Sequence, residues 1–351
     1  MNVCLLNPAY WPEVRRGSER FARSLADGLI ERGHGASLIT SHPGRTTRTV
    51  EDGLEVARLW RPPQERLRRR CYEPWLTHAP LSLLELRRRA PDLAHALYPT
   101  DGVVAARWGG PSVLSYMGLP HRAGLANRRL RLRITLEAVR GCSAVVALSR
   151  TAAEHFERWL GVEARVIAPG VDLEVFSPDP SALAHDPVIV CPADPREPRK
   201  RVGLLVEAFA LVRREWPQAR LVLDRGAPVG DGIDVRDLSA PGALVAAYRE
   251  AWVAALPSWG EAFGLVLLEA MACGTAVVGA DEGAIPEVAG SDAVGRLFAG
   301  EEPRALADAL LAALELARDP GTATACRDHA ERFPWSATTD AYLALYREIS
   351  G

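Results

Sequence analysis

Two glutamates flank a Phe-Gly-Leu tripeptide in a pattern that suits an anion-binding site. Glu261 follows a short apolar run, Phe263, Gly264 and Leu265 come next, and Glu269 lies eight positions after Glu261. If a helix begins near Phe263, its first amide groups lack partners within the helix, and with the helix dipole they favour a phosphate oxygen. Gly264 lets a ligand approach the backbone closely. At ~1.5 Å per residue the carboxylates lie about two turns apart, which suits two hydroxylated rings flanking a diphosphate. Taken alone, the pair also suits a helix whose Glu269 faces solvent.

Lys200 is the only lysine among the 42 lysine and arginine residues of the chain. It lies in the loop 194–201, which follows an apolar run at residues 188–191. In a chain that favours arginine this strongly, a single lysine indicates a position that requires a compact, strongly hydrated ammonium group. Such a point charge beside helix amides would stabilise a departing diphosphate. The alternative is an exposed lysine without a role.

Two series of alternating strands and helices would position these groups. Short apolar runs rich in β-branched residues predict buried strands, and the longer amphipathic stretches between them predict helices. An irregular segment rich in Pro and Asp separates the two series and predicts a linker at residues 177–187. The predicted strands are 3–6, 36–40, 93–98, 112–116, 144–148 and 165–168, then 188–191, 220–223, 252–256 and 276–279. The predicted helices include 19–32 and 151–160, then 202–215, 243–251, 263–273, 303–318 and 338–349.

Repeated strand–helix units predict an α/β protein with two doubly wound, Rossmann-like domains, each with helices on both faces of a parallel sheet. Ligands of such sheets bind beyond the carboxyl ends of the strands. Two such domains facing across a cleft would therefore place one site on each wall. Lys200 and Glu261 both follow predicted strands of the second series, so they are expected at one edge of one sheet.

The composition is that of a globular protein long enough for two domains. The chain has 351 residues, of which 48% are hydrophobic and 25% are charged, and this excludes a disordered or fibrous protein. No apolar run approaches the ~20 residues of a membrane span, and the N-terminal residues do not resemble a secretion signal. The six cysteines are scattered without a C-x-x-C pair, which favours reduced thiols, no zinc site and a cytoplasmic protein.

The charge is divided unevenly between the two halves of the chain. Residues 1–165 carry 26 arginines and 16 acidic residues, a balance of +10, whereas residues 166–351 carry 16 basic and 28 acidic residues, a balance of −12. The first half therefore favours an anionic partner, either a membrane surface or an acidic acceptor, ahead of nucleic acid. The alternative is that its arginine clusters are ordinary solvated helix faces. The clusters are 66–70, 87–89 and 128–133.

These motifs, taken together, resemble those of the retaining family 4 glycosyltransferases, which have the GT-B fold. The resemblance covers nearly the whole chain. Near residues 197–200 the sequence is similar to phosphatidylinositol mannosyltransferases. It rests on P-x4-G-S-E-R…L-x-x-R-G-H at 12–34, on the stretch 147–172, the Lys200 loop, the segment from Glu261 to Glu269, the sequence G-A-I-P-E at 283–287, and an aromatic-flanked helix near the end of the chain.

The resemblance implies two GT-B domains with separate tasks. The first, 1–170, would bind the acceptor, and the second, 171–334, would bind a UDP- or GDP-linked sugar, while the last helix, 335–351, would pack back on the first domain. The implied reaction moves the sugar to an acceptor hydroxyl of a lipid, glycan or small molecule. It retains the anomeric configuration and requires no metal or other cofactor.

The resemblance also implies roles for individual residues. Lys200 and Glu261 would be catalytic, with Lys200 on the donor phosphates, Glu261 on the sugar hydroxyls and Glu269 on the ribose. The implied donor-binding residues are Arg196, Arg199, Lys200, Glu261, Phe263, Gly264, Leu265 and Glu269. The implied acceptor and transfer-point residues are Gly17, Ser18, Met117 and Gly118.

Two positions depart from the family pattern. Ala193-Asp194 stands where the family usually has Gly-Arg, so an acid replaces a phosphate-binding arginine that Arg196 or Arg199 would have to supply. Met117 stands where a histidine is common, and His121 lies nearby on the wrong spacing. Because of these departures, the alternative stays open that the chain is a catalytically degenerate relative that binds a nucleotide or a partner. An epimerase or phosphorylase on the same architecture is a third candidate, and a phosphorylase would need Lys200 for pyridoxal phosphate.

The partners expected are thus a nucleotide-sugar donor, an unidentified acceptor and an anionic membrane surface contacted by the basic first half, with no nucleic acid. The expected location is cytoplasmic, with peripheral attachment at the inner face of the membrane.

Overall fold

The computed structural model describes residues 1–14, 17–240 and 242–351. The chain divides into two compact units, one formed by Met1–Pro169 with Trp335–Gly351 and the other by Gly170–Pro334. No helix among the described residues is long and apolar enough to cross a lipid bilayer.

The sheet of the first unit has eight strands within the described residues. They are β1 (Asn2–Leu6), β2 (Gly35–His42), β3 (Thr47–Glu51), β4 (Leu54–Trp60), β5 (Leu93–Ala96), β6 (Ser112–Ser115), β7 (Ala144–Ala147) and β8 (Arg165–Val166). Their order is β3-β4-β2-β1-β5-β6-β7-β8, and all neighbours are parallel except β3 and β4. The accompanying helices are α1 (Gly17–Glu31), α2 (Glu65–Arg69), α3 (Ala79–Arg89), α4 (Pro99–Trp108), α5 (Arg122–Ala126), α6 (Arg131–Gly141) and α7 (Arg150–Leu160).

The central strand β1 shows why the strands read as unbroken apolar runs. Val3 and Leu5 point into one core and Cys4 and Leu6 into the other, because successive side chains of a strand alternate between faces. Helices cover both faces of the sheet, so neither set of side chains reaches water.

Helix α7 illustrates how local sequence sets the helix ends. The Ser149 hydroxyl accepts a hydrogen bond from the Ala152 amide at 3.0 Å, and the helix stops at Gly161 in the left-handed conformation.

The sheet of the second unit has six strands within the described residues. They are β9 (Val188–Cys191), β10 (Arg220–Asp224), β11 (Ile233–Arg236), β12 (Val253–Leu256), β13 (Ala276–Ala280) and β14 (Gly295–Phe298). All are parallel, in the order β11-β10-β9-β12-β13-β14. The helices are α8 (Val202–Glu215), α9 (Ala243–Glu250), α10 (Leu265–Ala272), α11 (Ile285–Ala289), α12 (Pro303–Leu316) and α13 (Pro320–Ala330).

The last helix, α14 (Trp335–Ser350), belongs to the first unit. Its Tyr342 and Tyr346 are fully buried in the core beside β1 and β6. The Tyr346 hydroxyl lies 2.6 Å from His95 Nδ1, the Tyr342 hydroxyl lies 2.8 Å from the Ser115 hydroxyl, and that hydroxyl lies 2.7 Å from His95 Nε2. This buried network joins the end of the chain to β5 and β6.

The structure confirms each predicted strand to within a few residues, and helix α8 has the predicted bounds. The α/β class with two doubly wound sheets is likewise confirmed. Four strands were not predicted: β3, β4, β11 and β14. Every residue of β3 except Glu51 is exposed, and β11 is half-buried throughout, so neither strand carries the continuous apolar run of a strand buried on both faces.

Candidate active site

The second sheet has a topological switch point between β9 and β12. From β9 the chain goes on to β10 on one side, whereas β12 lies on the other side and continues to β13. The loops that leave the carboxyl ends of β9 and β12 therefore diverge and leave a crevice, where ligands of open α/β sheets bind. Lys200 lies on the first of these loops and Glu261 on the second.

Three charged side chains meet at this crevice. Lys200 Nζ donates to Glu261 Oε1 at 2.5 Å, and Arg199 Nη1 donates to the same oxygen at 3.0 Å. The side chains of Lys200 and Glu261 are only 16% and 13% exposed. The two loops are also joined by the Trp259 amide, which donates to the Arg199 carbonyl at 3.0 Å. Lys200 and Glu261 thus lie at one edge of one sheet, as the sequence predicted.

The electrostatics of the cluster keep Glu261 ionised. Burial of the Glu261 carboxyl raises its pKa, but the charges of Lys200 and Arg199 and the Ser258 hydroxyl outweigh burial, so the pKa lies below the usual value of 4.5. Sequence analysis assigned no role to Ser258, and its only signal is its position two residues after β12.

The lowered pKa predicts how Glu261 contributes to stability. A carboxyl whose folded pKa is depressed stabilises the protein above its unfolded pKa, and this contribution is lost as the pH falls through the folded value. We expect Glu261→Gln to lack it. The difference in melting temperature between the wild type and Glu261→Gln should therefore be largest above about pH 5. It should become smaller as the pH falls below about 4.5. Thermal denaturation across this pH range measures the gap, and a gap that widens with acid would contradict the assignment.

Helix α10 begins at Leu265, two residues later than the sequence predicted. Gly264 caps the helix with φ +102°, a backbone conformation that residues other than glycine rarely adopt. The amides at the start of α10 lie at the carboxyl edge beside the Glu261 loop, where helix geometry leaves them without intrahelical partners. The Phe263 side chain is buried and packs edge-to-face on Phe333, with ring centroids 6.0 Å apart, so only its backbone remains for a ligand.

Gly283, on the loop after β13, supports the Glu261 loop directly. It has φ +62°, and a Cβ at this position would lie 2.8 Å from the Glu261 carbonyl oxygen. The neighbouring Ala284 amide donates to that carbonyl at 3.0 Å. The G-A-I-P-E motif therefore has a positional function, since its glycine permits the close approach that fixes the backbone at Glu261.

Glu269 lies within α10 and is buried, with 3% exposure. The Tyr248 hydroxyl donates to Glu269 Oε2 at 3.5 Å. The alternative of a solvent-facing Glu269 is therefore wrong. A buried carboxylate is costly unless it is hydrogen-bonded, and Tyr248 supplies one such bond.

The structure separates the two arginines considered as substitutes for the missing family arginine. Arg196 is 77% exposed and forms two side-chain bonds with Asp194, at 2.9 Å and 3.1 Å. Asp194, the acid that stands where the family usually has an arginine, thus binds Arg196 itself. Arg199 is the arginine that reaches Glu261.

The residues expected near the acceptor lie at the carboxyl edge of the first sheet. Gly17 and Ser18 open α1, and the Ser18 hydroxyl donates to the buried Glu19 carboxylate at 3.0 Å. Met117 and Gly118 follow β6, and Met117 packs on the core beside α1 and α14. Arg15 and Arg16, within the motif at 12–34, lie outside the described residues.

His121, which lies near Met117 in sequence, has a local structural role. Its Nδ1 accepts a hydrogen bond from the Gly124 amide at 3.1 Å and so caps α5. Burial and the neighbouring His155 lower its pKa.

Three aspartates elsewhere in the second unit are paired with arginines. Asp231, Asp234 and Asp237 form ion pairs with Arg213, Arg236 and Arg225 respectively. Over the described part of the chain, no group of three or more His, Cys, Asp or Glu side chains is arranged to hold a metal ion.

Comparison with known proteins identifies two matching families. Residues 15–175 match the family described as Glycosyltransferase Family 4, and residues 186–316 match the one described as Glycosyl transferases group 1.

Curated relatives match most of the chain. A D-inositol 3-phosphate glycosyltransferase of Saccharomonospora viridis is 33% identical over 301 residues, which cover 73% of this chain and 70% of that protein. Its counterpart in Kribbella flavida is 31% identical over 304 residues, which cover 73% of this chain and 71% of that protein.

Solved structures share the fold at low sequence identity. Sucrose-phosphate synthase of Thermosynechococcus elongatus has a TM-score of 0.83 at 21% identity, covering 99% of this chain and 98% of that chain. Anabaena HepE, in complex with UDP and glucose, has a TM-score of 0.78 at 19% identity, covering 99% of this chain and all of that chain. The family matches, the extent of the curated relatives and the shared GT-B fold lead to one conclusion: this chain belongs to the family 4 glycosyltransferases.

Proposed function

We propose that the second unit binds a UDP- or GDP-linked sugar at the β9–β12 crevice and that the enzyme transfers the sugar to an acceptor hydroxyl bound by the first unit. The observation that carries the proposal is the contact of Lys200 and Arg199 with Glu261 at the switch point of the sheet. This crevice combines cations for phosphate, helix amides for phosphate oxygens and carboxylates for hydroxyl groups.

The proposed chemistry assigns each charged group a task. As the glycosidic bond breaks, negative charge grows on the diphosphate, and the Lys200 ammonium and the amides at the start of α10 stabilise it. The Glu261 carboxylate accepts hydrogen bonds from the sugar hydroxyls and orients the ring. Glu269 accepts from the ribose on the other side of the diphosphate. In the structure, Arg199 and Lys200 both form ion pairs with Glu261.

We further propose that the transfer retains the anomeric configuration and needs no metal ion. The support is the family resemblance together with the Lys200 ammonium, a cation of the chain itself that can offset negative charge on a diphosphate. The proposed acceptor carries a phosphate, either free or in a lipid headgroup. This proposal is supported by the names of the curated relatives and by the +10 charge balance of residues 1–165. The proposed location is cytoplasmic, at the inner face of the membrane.

Incubation with a panel of UDP- and GDP-linked sugars tests the proposal. We expect hydrolysis of one donor in the absence of acceptor, no loss of turnover with EDTA because Lys200 supplies the positive charge, and a transfer product with the donor's anomeric configuration by NMR. Soluble inositol phosphates and phosphoinositide vesicles, compared as acceptors, distinguish a free phosphate from a lipid headgroup.

Other results of the same assays would contradict it. Failure to bind UDP, GDP or ADP would favour a degenerate relative. Activity that EDTA abolishes and a divalent cation restores would overturn metal independence, and an inverted product would overturn retention.

A further inference from the structure

Two arginine-rich segments that lie about 60 residues apart in sequence form one surface of the first unit. The Arg129 amide donates to the Cys71 carbonyl at 2.6 Å, the Glu73 amide donates to the Arg129 carbonyl at 3.3 Å, and Tyr72 pairs with Arg129 in a parallel bridge. The Arg129 guanidinium lies over the Tyr72 ring, 5.4 Å from its centroid. We call residues 66–72 with 128–133 the arginine patch.

A buried ion pair fixes this junction to the sheet. Arg131 Nε donates to Glu73 Oε2 at 2.8 Å, and the Tyr98 hydroxyl donates to Glu73 Oε1 at 3.2 Å. Glu73 is 2% exposed, and Tyr98 directly precedes α4 in the loop after β5. The two segments are therefore held together by backbone bonds and by a buried carboxylate rather than by chance proximity of flexible side chains.

The remaining arginines of the patch are not neutralised. Many arginines elsewhere in the unit have carboxylate partners, as Arg23, Arg58 and Arg89 do. Within the described residues, Arg131 is paired with Glu73 and the other seven patch arginines lack a carboxylate partner: Arg66, Arg68, Arg69, Arg70, Arg128, Arg129 and Arg133. A solvated face of no function is more often laced with ion pairs. The concentration of unpaired positive charge indicates an anionic partner.

Exposed leucines on the same surface distinguish between anionic partners. Leu130 and Leu132 are each 45% exposed and alternate with arginines along the chain. Apolar side chains among arginines are the signature of a surface that enters the headgroup region of an anionic bilayer. Sequence-independent binding of single-stranded nucleic acid relies on exposed aromatic rings for stacking, and the Tyr72 ring of the patch is covered by Arg129.

The patch also lies at a functionally relevant edge. Its first segment follows β4 and its second follows β6, so both leave the carboxyl edge of the first sheet. Gly17 follows β1 and Met117 follows β6 at the same edge. We infer that the arginine patch docks the first unit on an anionic lipid bilayer, with Leu130 and Leu132 inserted among the headgroups. Docking does not require sugar transfer, so it stands or falls separately from the proposed reaction.

Vesicle flotation with the full chain tests the inference. Vesicles are phosphatidylcholine with and without about one third phosphatidylglycerol, at low and high salt. The patch variant is Arg69→Ala/Arg70→Ala/Arg133→Ala. The matched control, Arg45→Ala/Arg158→Ala/Arg347→Ala, removes three arginines of the same unit that lie outside the patch and have no carboxylate partner among the described residues. A second variant, Leu130→Asn/Leu132→Ser, keeps the charge and removes the apolar side chains.

We expect the wild type to bind the anionic vesicles and not phosphatidylcholine alone. Each arginine near the surface is worth about five-fold in affinity, so the patch variant should bind on the order of 100-fold more weakly, while the control changes far less. The leucine variant should also bind more weakly. Circular dichroism and thermal denaturation verify that each variant is folded.

Three outcomes would overturn the inference. The first is no binding of the wild type to anionic vesicles at low salt. The second is an equal loss in the patch and control variants, which would reduce the effect to net charge. The third is patch-dependent binding of single-stranded RNA without vesicle binding, which would assign the surface to a nucleic acid.

Discussion

Lys200→Met should lower turnover by roughly 100- to 1,000-fold, the typical loss when one group that stabilises developing charge is removed. Methionine has nearly the length of lysine and no charge, so the change removes the ammonium and little else. Because Lys200 interacts most strongly with the diphosphate as it leaves, the loss should appear mainly in kcat rather than in KM. Steady-state kinetics with the donor identified by the panel measure both constants.

Comparison variants sharpen this expectation. Lys200→Arg keeps the charge but replaces a point cation with a planar fork, and we expect it to recover only part of the activity. Arg318→Ala removes an exposed cation of the same unit whose partner is Glu315, and it should leave turnover unchanged. Turnover of Lys200→Met within about three-fold of the wild type would remove Lys200 from the catalytic residues, since a loss that small corresponds to less than about 1 kcal/mol.

Glu261→Ala should abolish measurable transfer, and Glu261→Gln should lose on the order of 100-fold or more, because the charged acceptor that orients the sugar is gone. The variants differ in what remains. Glutamine keeps an acceptor oxygen near Lys200 and Arg199, whereas alanine leaves both cations without the carboxylate that they now share. Product formation and nucleoside diphosphate affinity, measured separately, distinguish loss of transfer from loss of donor binding.

Glu315→Gln is the matched control for this pair. It removes an exposed carboxylate that pairs with Arg318 at 3.1 Å, and it should leave transfer intact. Circular dichroism of Glu261→Ala should show the wild-type fold. Undiminished transfer by folded Glu261→Ala would count decisively against the site.

Much of the site was accessible from the sequence because it depends on chain order. Lys200 and Glu261 each follow a strand buried on both faces, and such strands are visible as continuous apolar runs. Parallel strands place their carboxyl ends at one edge, so residues that directly follow two neighbouring strands lie at the same edge of the sheet. The helix start was predicted two residues early, since the apolar run does not reveal that Gly264 adopts φ +102°.

Other features required the folded structure because they depend on side-chain pairing. Nothing in the sequence tells that Asp194 binds Arg196 while Arg199 reaches Glu261, because both arginines lie on one short loop. Periodicity also left Glu269 undecided between solvent and interior, which only the packing around α10 resolves. The junction of the two arginine clusters is a third example, since it is made by backbone bonds between distant residues.

The placement of α14 has a consequence for how the protein is made. The core of the first unit includes Tyr342 and Tyr346, yet these residues are translated after the whole of the second unit. A ribosome therefore delivers β5 and β6 long before the tyrosines that cover His95 and Ser115. The second unit is continuous in sequence and can fold as soon as it emerges, whereas the first unit lacks part of its core until α14 is synthesised. Synthesis that stops short of α14 yields a first unit with an open hydrophobic face, which exposes incomplete chains to proteolysis.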